Sequence, residues 1–506
     1  MARLGLGGAA VRDRSSESWG IGDFGDLARL TRWAKGLGAG FVLVNPLGAV
    51  APVGTQQASP YFPASRRFRN PIYLRVEHVP GAKLAREEVA RAAAAGAALN
   101  ERRVIDRDEV WAMKRAALEA IWSAAPERRD FDRWYRRAPA SLEQFATWCV
   151  LSEEHGGDWR SWPAELQHPS SHAVAAAAAR SVDRQRFHAW LQWLAESQFG
   201  AAATHTALVQ DLPIGVDPGG FDAWEWQDIL ATDTSVGAPP DEFNRLGQDW
   251  GLPPFIPEKL RAAEYQPFID TIRASMAAGG GLRVDHVMGL FRLWWIPSGC
   301  GPREGAYVRS RADDLLGIVA LESQRAGAFV VGEDLGTVED SAREALSRHD
   351  VLSYRLLWFE EEDPSRWPRR SLAAVTTHDL PTVTGLWDGS DLEAQRRAGL
   401  EPNTASTGAI HGRLAAAAGL DAQASSEDAV VAAYELLARA PSMLLTATLD
   451  DAVGEPARPN IPGAAGDNMN WSLALPYRLD EIESHPLAAR VAAVLDHAVQ
   501  GAAPNP

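Results

Sequence analysis

The sequence has 506 residues, 46% of them hydrophobic and 23% charged, so it holds enough apolar material for a large core. Its 66 acidic and 50 basic residues give a net charge of −16, which argues against nucleic-acid partners and against anionic membrane surfaces. The two cysteines, Cys149 and Cys300, match no metal-ligand or disulfide spacing, which favours a reducing, cytoplasmic location.

Short apolar runs that end in polar residues recur along the chain. Each run has strand composition and is followed by a loop and then by helical spacing. A Gly- and Ala-rich strand is expected near residues 7–12. The later runs and the residues that end them are 41–44 with Asn45, 207–210 with Asp211, 281–284 with Asp285 and His286, 328–332 with Glu333 and Asp334, 373–377 with His378 and Asp379, and 444–449 with Asp450 and Asp451.

Strands that alternate with helices predict parallel βαβ units. Polar residues at the carboxyl ends of such strands are typical of a (β/α)8 TIM barrel, whose active sites lie on that face. A doubly wound sheet would also bind ligands there. However, no GxGxxG or Walker motif is present to support a nucleotide site.

Composition changes along the chain predict its organisation. Residues 1–85 are interpreted as the first part of the barrel, and residues 86–198, rich in Ala, Arg, Glu and Trp, as a mainly helical insertion. Residues 199–500 would complete the barrel, with a Gly- and Pro-rich substrate loop near 237–257. Residues 501–506 would form a tail. No run of about 18 apolar residues predicts a membrane span, and the N-terminus lacks the apolar region of a signal peptide.

Three acidic residues, Asp285, Glu333 and Asp379, follow predicted strands at intervals long enough for a strand, a helix and loops. Glycosidic bond cleavage needs two carboxyl groups, one that attacks or acts as base and one that protonates the leaving oxygen. Each residue alone could instead cap a helix. The spacing does not decide which carboxylate attacks.

Metal binding is an alternative for the same positions, because adjacent residues there offer carboxylate and imidazole ligands. Adjacent strand residues point to opposite faces, so the pairs Asp285–His286 and His378–Asp379 would each send one member into a pocket. No HxH or HExxH motif is present. The sequence therefore predicts no metal site.

Several segments, in this order, resemble the amylomaltases, the 4-α-glucanotransferases of glycoside hydrolase family 77, which are relatives of the α-amylases. The similar segments are SWGIGDFGD at 18–26, SPYFPASRRFRNPIY at 59–73, DLPIGV at 211–216, WGLPP at 250–254, RVDH at 283–286, GEDLG at 332–336, THDLPT at 377–382, and NIPG at 460–463 followed by Asn470 and Trp471.

The resemblance implies a cofactor-free enzyme that transfers segments of α-1,4-glucans and maltooligosaccharides to a sugar 4-hydroxyl with retention. It implies that Asp285 is the nucleophile, Glu333 the general acid/base and Asp379 a stabiliser of the transition state. The substrate-binding residues that it implies are Tyr61, Asp211, Trp250, Arg283, His286, His378 and Asn460. A hydrolase of the amylase class and a non-catalytic glucan-binding protein are the alternatives.

Two pKa expectations follow for these carboxyl groups. The guanidinium of Arg283, two residues before Asp285, should favour the ionised form of the nucleophile. Glu333 must instead hold a proton at neutral pH, which a poorly solvated pocket or nearby carboxylates would promote.

Overall fold

Eight parallel strands form the centre of the computed structural model, which describes residues 3–9, 12–240, 246–336, 338–421, 423–464 and 469–501. These strands are β1 (Arg3–Ala9), β2 (Ala39–Val44), β3 (Ala207–Leu212), β4 (Gly281–Val284), β5 (Phe329–Gly332), β6 (Ser353–Leu356), β7 (Ser371–Ala374) and β8 (Leu444–Thr448).

The strand order shows that the sheet closes into a barrel. Neighbouring strands run β5-β4-β3-β2-β1-β8-β7-β6, and a parallel bridge between Val331 and Leu352 joins the two ends. The predicted TIM barrel is therefore confirmed. Strand β6 was not predicted, because its sequence SYRL alternates apolar with polar residues and lacks a continuous apolar run.

Several predicted strand boundaries differ from the observed ones, most clearly those of β1, β3 and β7. Strand β1 begins earlier than the predicted 7–12, and residues 10 and 11 lie outside the described ranges. Asp211 lies inside β3 instead of after it. Strand β7 ends at Ala374, so His378 and Asp379 lie in the following loop. Asp379 is consequently positioned by loop contacts and not by strand pairing.

Helices surround the barrel and bury apolar faces against it. In Phe24–Gly36, the side chain of Asp23 caps the first turn, and residues 24, 27, 30, 31 and 34 form a buried stripe at helical spacing. Phe24 packs edge-on against Phe199, with ring centroids 6.0 Å apart. The other helices that follow barrel strands are Gln266–Met276, Ala312–Ala326, Asp340–Arg348, Ser426–Leu437 and Pro486–Gly501. Residues 357–370, between β6 and β7, contain a 3-10 turn at Pro364–Arg366 instead.

Helices also fill the stretch between β2 and β3. They are Arg86–Asn100, Arg107–Ala124, Arg129–Tyr135, Ala140–His155, His172–Arg180 and Val182–Ala202. The last one runs past the predicted boundary at residue 198 and carries Phe199, which packs against the barrel helix. The division into an insertion and a barrel stays a prediction.

Seven further α-helices lie in the described part of the chain. The α-helices are Phe221–Glu225, Pro257–Ala262, Val383–Trp387, Ser390–Arg397, Thr404–Ala418, Leu449–Ala452 and Leu479–Ile482. Within the described ranges, no helix is both long and apolar enough to cross a bilayer. The predicted tail lies outside these ranges from residue 502 onward.

Antiparallel strands lie outside the barrel. Ala306–Arg309, Arg292–Pro297, Thr234–Ala238 and Gln248–Leu252 form a four-stranded sheet in this order, and Gly48–Ala49 pairs with Ser65–Arg69. The predicted substrate loop at 237–257 is thus partly a β-hairpin, and residues 241–245 of it lie outside the described ranges. The strand Gln248–Leu252 was not predicted, because Gly251 and the nearby prolines give the segment the composition of a loop.

Candidate active site

Strand register places Asp285 beside Glu333. Val284 of β4 pairs with Gly332 of β5. Asp285 and Glu333 are the residues that directly follow these two strand ends. The backbone N–H of Glu333 donates to the Val284 carbonyl over 3.0 Å, which extends the pairing to the site. Because adjacent strands lie about 4.8 Å apart, the two residues share one stretch of the barrel rim.

A buried arginine links two of the acidic residues. Asp211 of β3 pairs in register with Arg283 of β4. Nη1 of Arg283 donates to both Asp211 carboxylate oxygens over 2.7 Å and to Oδ1 of Asp285 over 3.0 Å. The guanidinium is therefore held between two acids.

Burial and electrostatics together set the pKa of Asp285. Burial raises it, Arg283 opposes the rise, and Asp211 and Glu333 add to it, so that the pKa reaches about 6. The expected effect of Arg283 is present, but the effect of burial is larger. Asp285 is still mainly ionised at neutral pH.

Two backbone N–H groups orient Glu333. His286 donates to Oε2 and Leu335 to Oε1, each over 2.9 Å. His286 has a φ of 45°, an uncommon left-handed conformation that directs its N–H toward Glu333. Burial raises the pKa of Glu333, while Arg283 and the two N–H groups lower it, and the net direction is upward, as an acid catalyst requires.

The loop after β7 carries His378 and Asp379. Nδ2 of Asn460 donates to Oδ1 of Asp379 over 2.6 Å, and Nε2 of His378 lies 3.3 Å from Oδ2. Burial opposes the charge of Asp379, but His378 and Asn460 outweigh it and lower its pKa to about 2. Burial lowers the pKa of His378, but the carboxylate of Asp379 raises it by a larger amount, so the net shift is upward.

Aromatic rings line one side of the site. Tyr61 stacks on His378 with centroids 4.8 Å apart, and Trp471 lies 5.5 Å from Tyr61 and 5.1 Å from His378. The Tyr61 hydroxyl donates to Oδ2 of Asp211 over 2.7 Å. Trp471 was absent from the predicted site residues, although it belongs to one of the family-like segments. Its position in the NIPG-to-Asn-Trp segment was the available signal.

Trp250 reaches the site from the four-stranded sheet. Its ring lies edge-on to His286 at 5.4 Å, and its Nε1 donates to Oε1 of Gln248 over 3.1 Å. These contacts, together with the peptide bond between Asp285 and His286, connect all ten predicted site residues. Within the described ranges, no three His, Cys, Asp or Glu residues are grouped as a metal site.

Two cavities adjoin Asp211 and Asp285. One is lined by Asp211, Arg283 and His378, and Tyr354 of β6, which was not among the predicted site residues, also lines it. The other is lined mostly by apolar residues and includes Asp285 and His286. A sugar chain fits this combination, because sugars present apolar faces and polar edges.

Comparison with known proteins identifies the family. A model of glycoside hydrolase family 77, described as 4-alpha-glucanotransferase, matches residues 14–479. This chain belongs to that family. A family member from Mycobacterium tuberculosis, named 4-alpha-glucanotransferase, is 41% identical over 541 aligned positions, covering 97% of this chain and 74% of that protein.

Two solved structures of similar proteins agree with the observed architecture. The amylomaltase from Corynebacterium glutamicum superimposes with a TM-score of 0.86 at 34% identity, covering 98% of this chain and 75% of that one. An amylomaltase from Streptococcus agalactiae, solved in complex with acarbose, has a TM-score of 0.78 at 16% identity and 99% coverage of both chains, and shares the fold. The family and the barrel architecture predicted from the sequence are confirmed.

Proposed function

We propose that this 4-alpha-glucanotransferase works by double displacement, with Asp285 as nucleophile and Glu333 as general acid/base. The observation that carries the proposal is the Val284–Gly332 register, which sets the two carboxylic residues side by side. Family membership favours transfer over hydrolysis. The carboxyl groups should act about 5–5.5 Å apart, the separation of retaining enzymes.

The first step breaks the donor α-1,4 bond. The ionised carboxylate of Asp285 attacks the anomeric carbon, while Glu333 gives its proton to the departing 4-oxygen. The raised pKa of Glu333 supports its role as acid. The product is a glucanosyl ester of Asp285, and the shortened sugar leaves with the proton.

The second step transfers the glucanosyl group. Glu333, now a carboxylate, takes the proton of the acceptor 4-hydroxyl, whose oxygen attacks the anomeric carbon and releases Asp285. Two inversions give net retention. Transfer requires that an acceptor sugar outcompete water, and the hairpin that carries Trp250 beside His286 is our candidate for restricting solvent there.

The surrounding polar residues would bind the sugar at the bond that breaks. Asp379, with its pKa of about 2, stays ionised and would stabilise positive charge that develops on the ring. Asp211 and Asn460 would bind sugar hydroxyls once the substrate enters. Tyr61 and His378 offer a stacked surface for a pyranose face.

Substrate range and location extend the proposal. We expect maltooligosaccharides and longer α-1,4-glucans as donors and acceptors, because the site joins an aromatic wall to an apolar-lined cavity. Cys149 and Cys300 are free thiols, which supports a cytoplasmic location. The helices between β2 and β3 are proposed as an insertion that supports the barrel rim.

Maltotriose provides the test. Transfer predicts glucose plus longer chains at a constant number of reducing ends, whereas a steady rise in reducing ends would reject it. Asp285→Asn should lower turnover by about 10⁴-fold or more while the fold is kept. The exposed Asp313→Asn variant is the matched control. Unchanged turnover of Asp285→Asn would refute the nucleophile assignment.

A further inference from the structure

The segment 458–460 holds the loop that carries His378 and Asp379. The backbone N–H of Asn460 donates to the His378 carbonyl over 3.1 Å. Nη1 of Arg458 donates to the Asp379 carbonyl over 2.6 Å, and Nδ2 of Asn460 to the Asp379 carboxylate over 2.6 Å. Backbone and side chain of Asp379 are thus held from one short segment.

Arg458 is itself fixed by a second element. Its Nε lies 2.9 Å from Oδ1 of Asp391, and its Nη2 donates to Oδ2 over 3.3 Å. The side chains of Arg458 and Asp391 are 7% and 1% exposed, and Gln395 donates to Asp391 over 2.7 Å. The planar guanidinium therefore bridges the helix Ser390–Arg397 and the Asp379 carbonyl, which a lysine could not do with one nitrogen.

Asp379 needs such support because no strand positions it. It lies five residues beyond the end of β7, and its side chain is 43% exposed. Its placement therefore depends on hydrogen bonds and not on strand pairing. A displacement of about 1 Å at a catalytic group can cost on the order of 100-fold in rate.

We propose that Arg458, oriented by Asp391, is a positioning residue that sets the placement of Asp379 for the transfer reaction. This inference rests on the role proposed for Asp379. Arg458 touches no reacting atom in this scheme and acts through the Asp379 carbonyl. Its loss should therefore weaken an interaction made in the transition state and lower kcat with little effect on KM.

The first experiment compares Arg458→Gln with Arg103→Gln. Arg103 also pairs with a buried acid, Glu455, which lies three residues before Arg458, over 2.6 Å, but that pair lies outside the contacts to His378 and Asp379. With maltotriose, Arg458→Gln should lower kcat by about 10- to 100-fold and leave KM within about twofold. Arg103→Gln should keep kcat within about twofold of the parent. Equal losses in the two variants would overturn the proposal.

A double-mutant cycle separates positioning from general damage. Maltosyl fluoride is the donor, since its good leaving group keeps the turnover of Asp379→Asn measurable. In that background, the factor lost through Arg458→Gln should shrink to about twofold or less, because the group it positions is gone. The same factor in both backgrounds would show that Arg458 acts elsewhere.

Two further variants keep the test decisive. If Arg458→Gln does not fold, Arg458→Lys and Asp391→Asn replace it, and each should lose about tenfold or more in kcat with unchanged KM. Wild-type kcat in either folded variant would refute the positioning role. Full activity of Asp379→Asn would instead refute the function proposed for Asp379, so the two failures are distinguishable.

Discussion

The proposed catalytic carboxylates at the barrel mouth are held by different physical means. Asp285 and Glu333 directly follow paired residues of β4 and β5, and backbone hydrogen bonds continue the strand pairing up to them. Asp379 lies in a loop, and its backbone carbonyl and its carboxylate accept hydrogen bonds from the side chains of Arg458 and Asn460. We call Asp285 and Glu333 the register side, because strand register positions them. We call Asp379 the tethered side, because hydrogen bonds from a distant segment position it.

The two environments also give Asp285 and Asp379 different pKa values. Asp285 is enclosed beside other acids, and burial raises its pKa to about 6. Asp379 is paired with His378 and Asn460, and its pKa falls to about 2. Carboxyl groups with pKa values set this far apart can take different roles at one pH.

Glu333→Gln tests the register side with the largest effect expected after that of Asp285→Asn. Without a proton to give to the leaving sugar, turnover of maltotriose should fall by about 10³-fold. Maltosyl fluoride needs no such proton, so formation of the enzyme ester from it should fall far less. The exposed Glu339→Gln variant, which loses an ion pair with Arg292, is the control. Equal losses with both donors would contradict the acid role.

Asn460→Ala tests the tethered side. It removes the 2.6 Å hydrogen bond to the Asp379 carboxylate, an interaction with a charged group worth about 1.5–3 kcal/mol, so kcat should fall by about 10- to 100-fold. Asn403→Ala, which removes a helix cap at Ser406, is the matched control. Steady-state kinetics with maltotriose measure both, and an unchanged kcat for Asn460→Ala would show that the tether is dispensable.

Gly332→Ala probes the register side more gently. A Cβ at this position would lie 2.9 Å from Cγ2 of Val287, whose N–H donates to the Glu333 carbonyl. The resulting shift of the turn after Asp285 should lower kcat by about tenfold. Gly317→Ala, in a helix with open space around the added atom, should keep full activity. A fully active Gly332→Ala would mean that the register side tolerates displacement.

The pH profile compares the two sides without mutation. Asp285 must be ionised to attack, and its raised pKa predicts that kcat/KM declines as pH falls below about 6. Asp379 is already ionised throughout this range and adds no step above about pH 4. Arg283 lowers the pKa of Asp285, so Arg283→Gln should move the acid limb to higher pH. An acid limb near pH 4 in the parent enzyme would contradict the raised pKa.

Local sequence predicted the register side well. The apolar runs before Asp285 and Glu333 end where β4 and β5 end, because a strand needs an apolar stretch and parallel strands bring their carboxyl ends together. The same rule missed β6, whose alternating residues Tyr354 and Arg355 break the apolar run. It also extended β7 as far as residue 377, past its observed end at Ala374.

The sequence by itself determined the barrel, through short patterns of apolar and polar residues, and its family-like segments determined the family and implied ten of the residues at the barrel mouth. Only the tertiary structure decided that Arg458 and Asp391 reach Asp379, that Trp471 joins the aromatic wall and that burial raises the pKa of Asp285. Those properties depend on which distant segments pack together and how much water they exclude, and spacing along the chain does not encode either quantity.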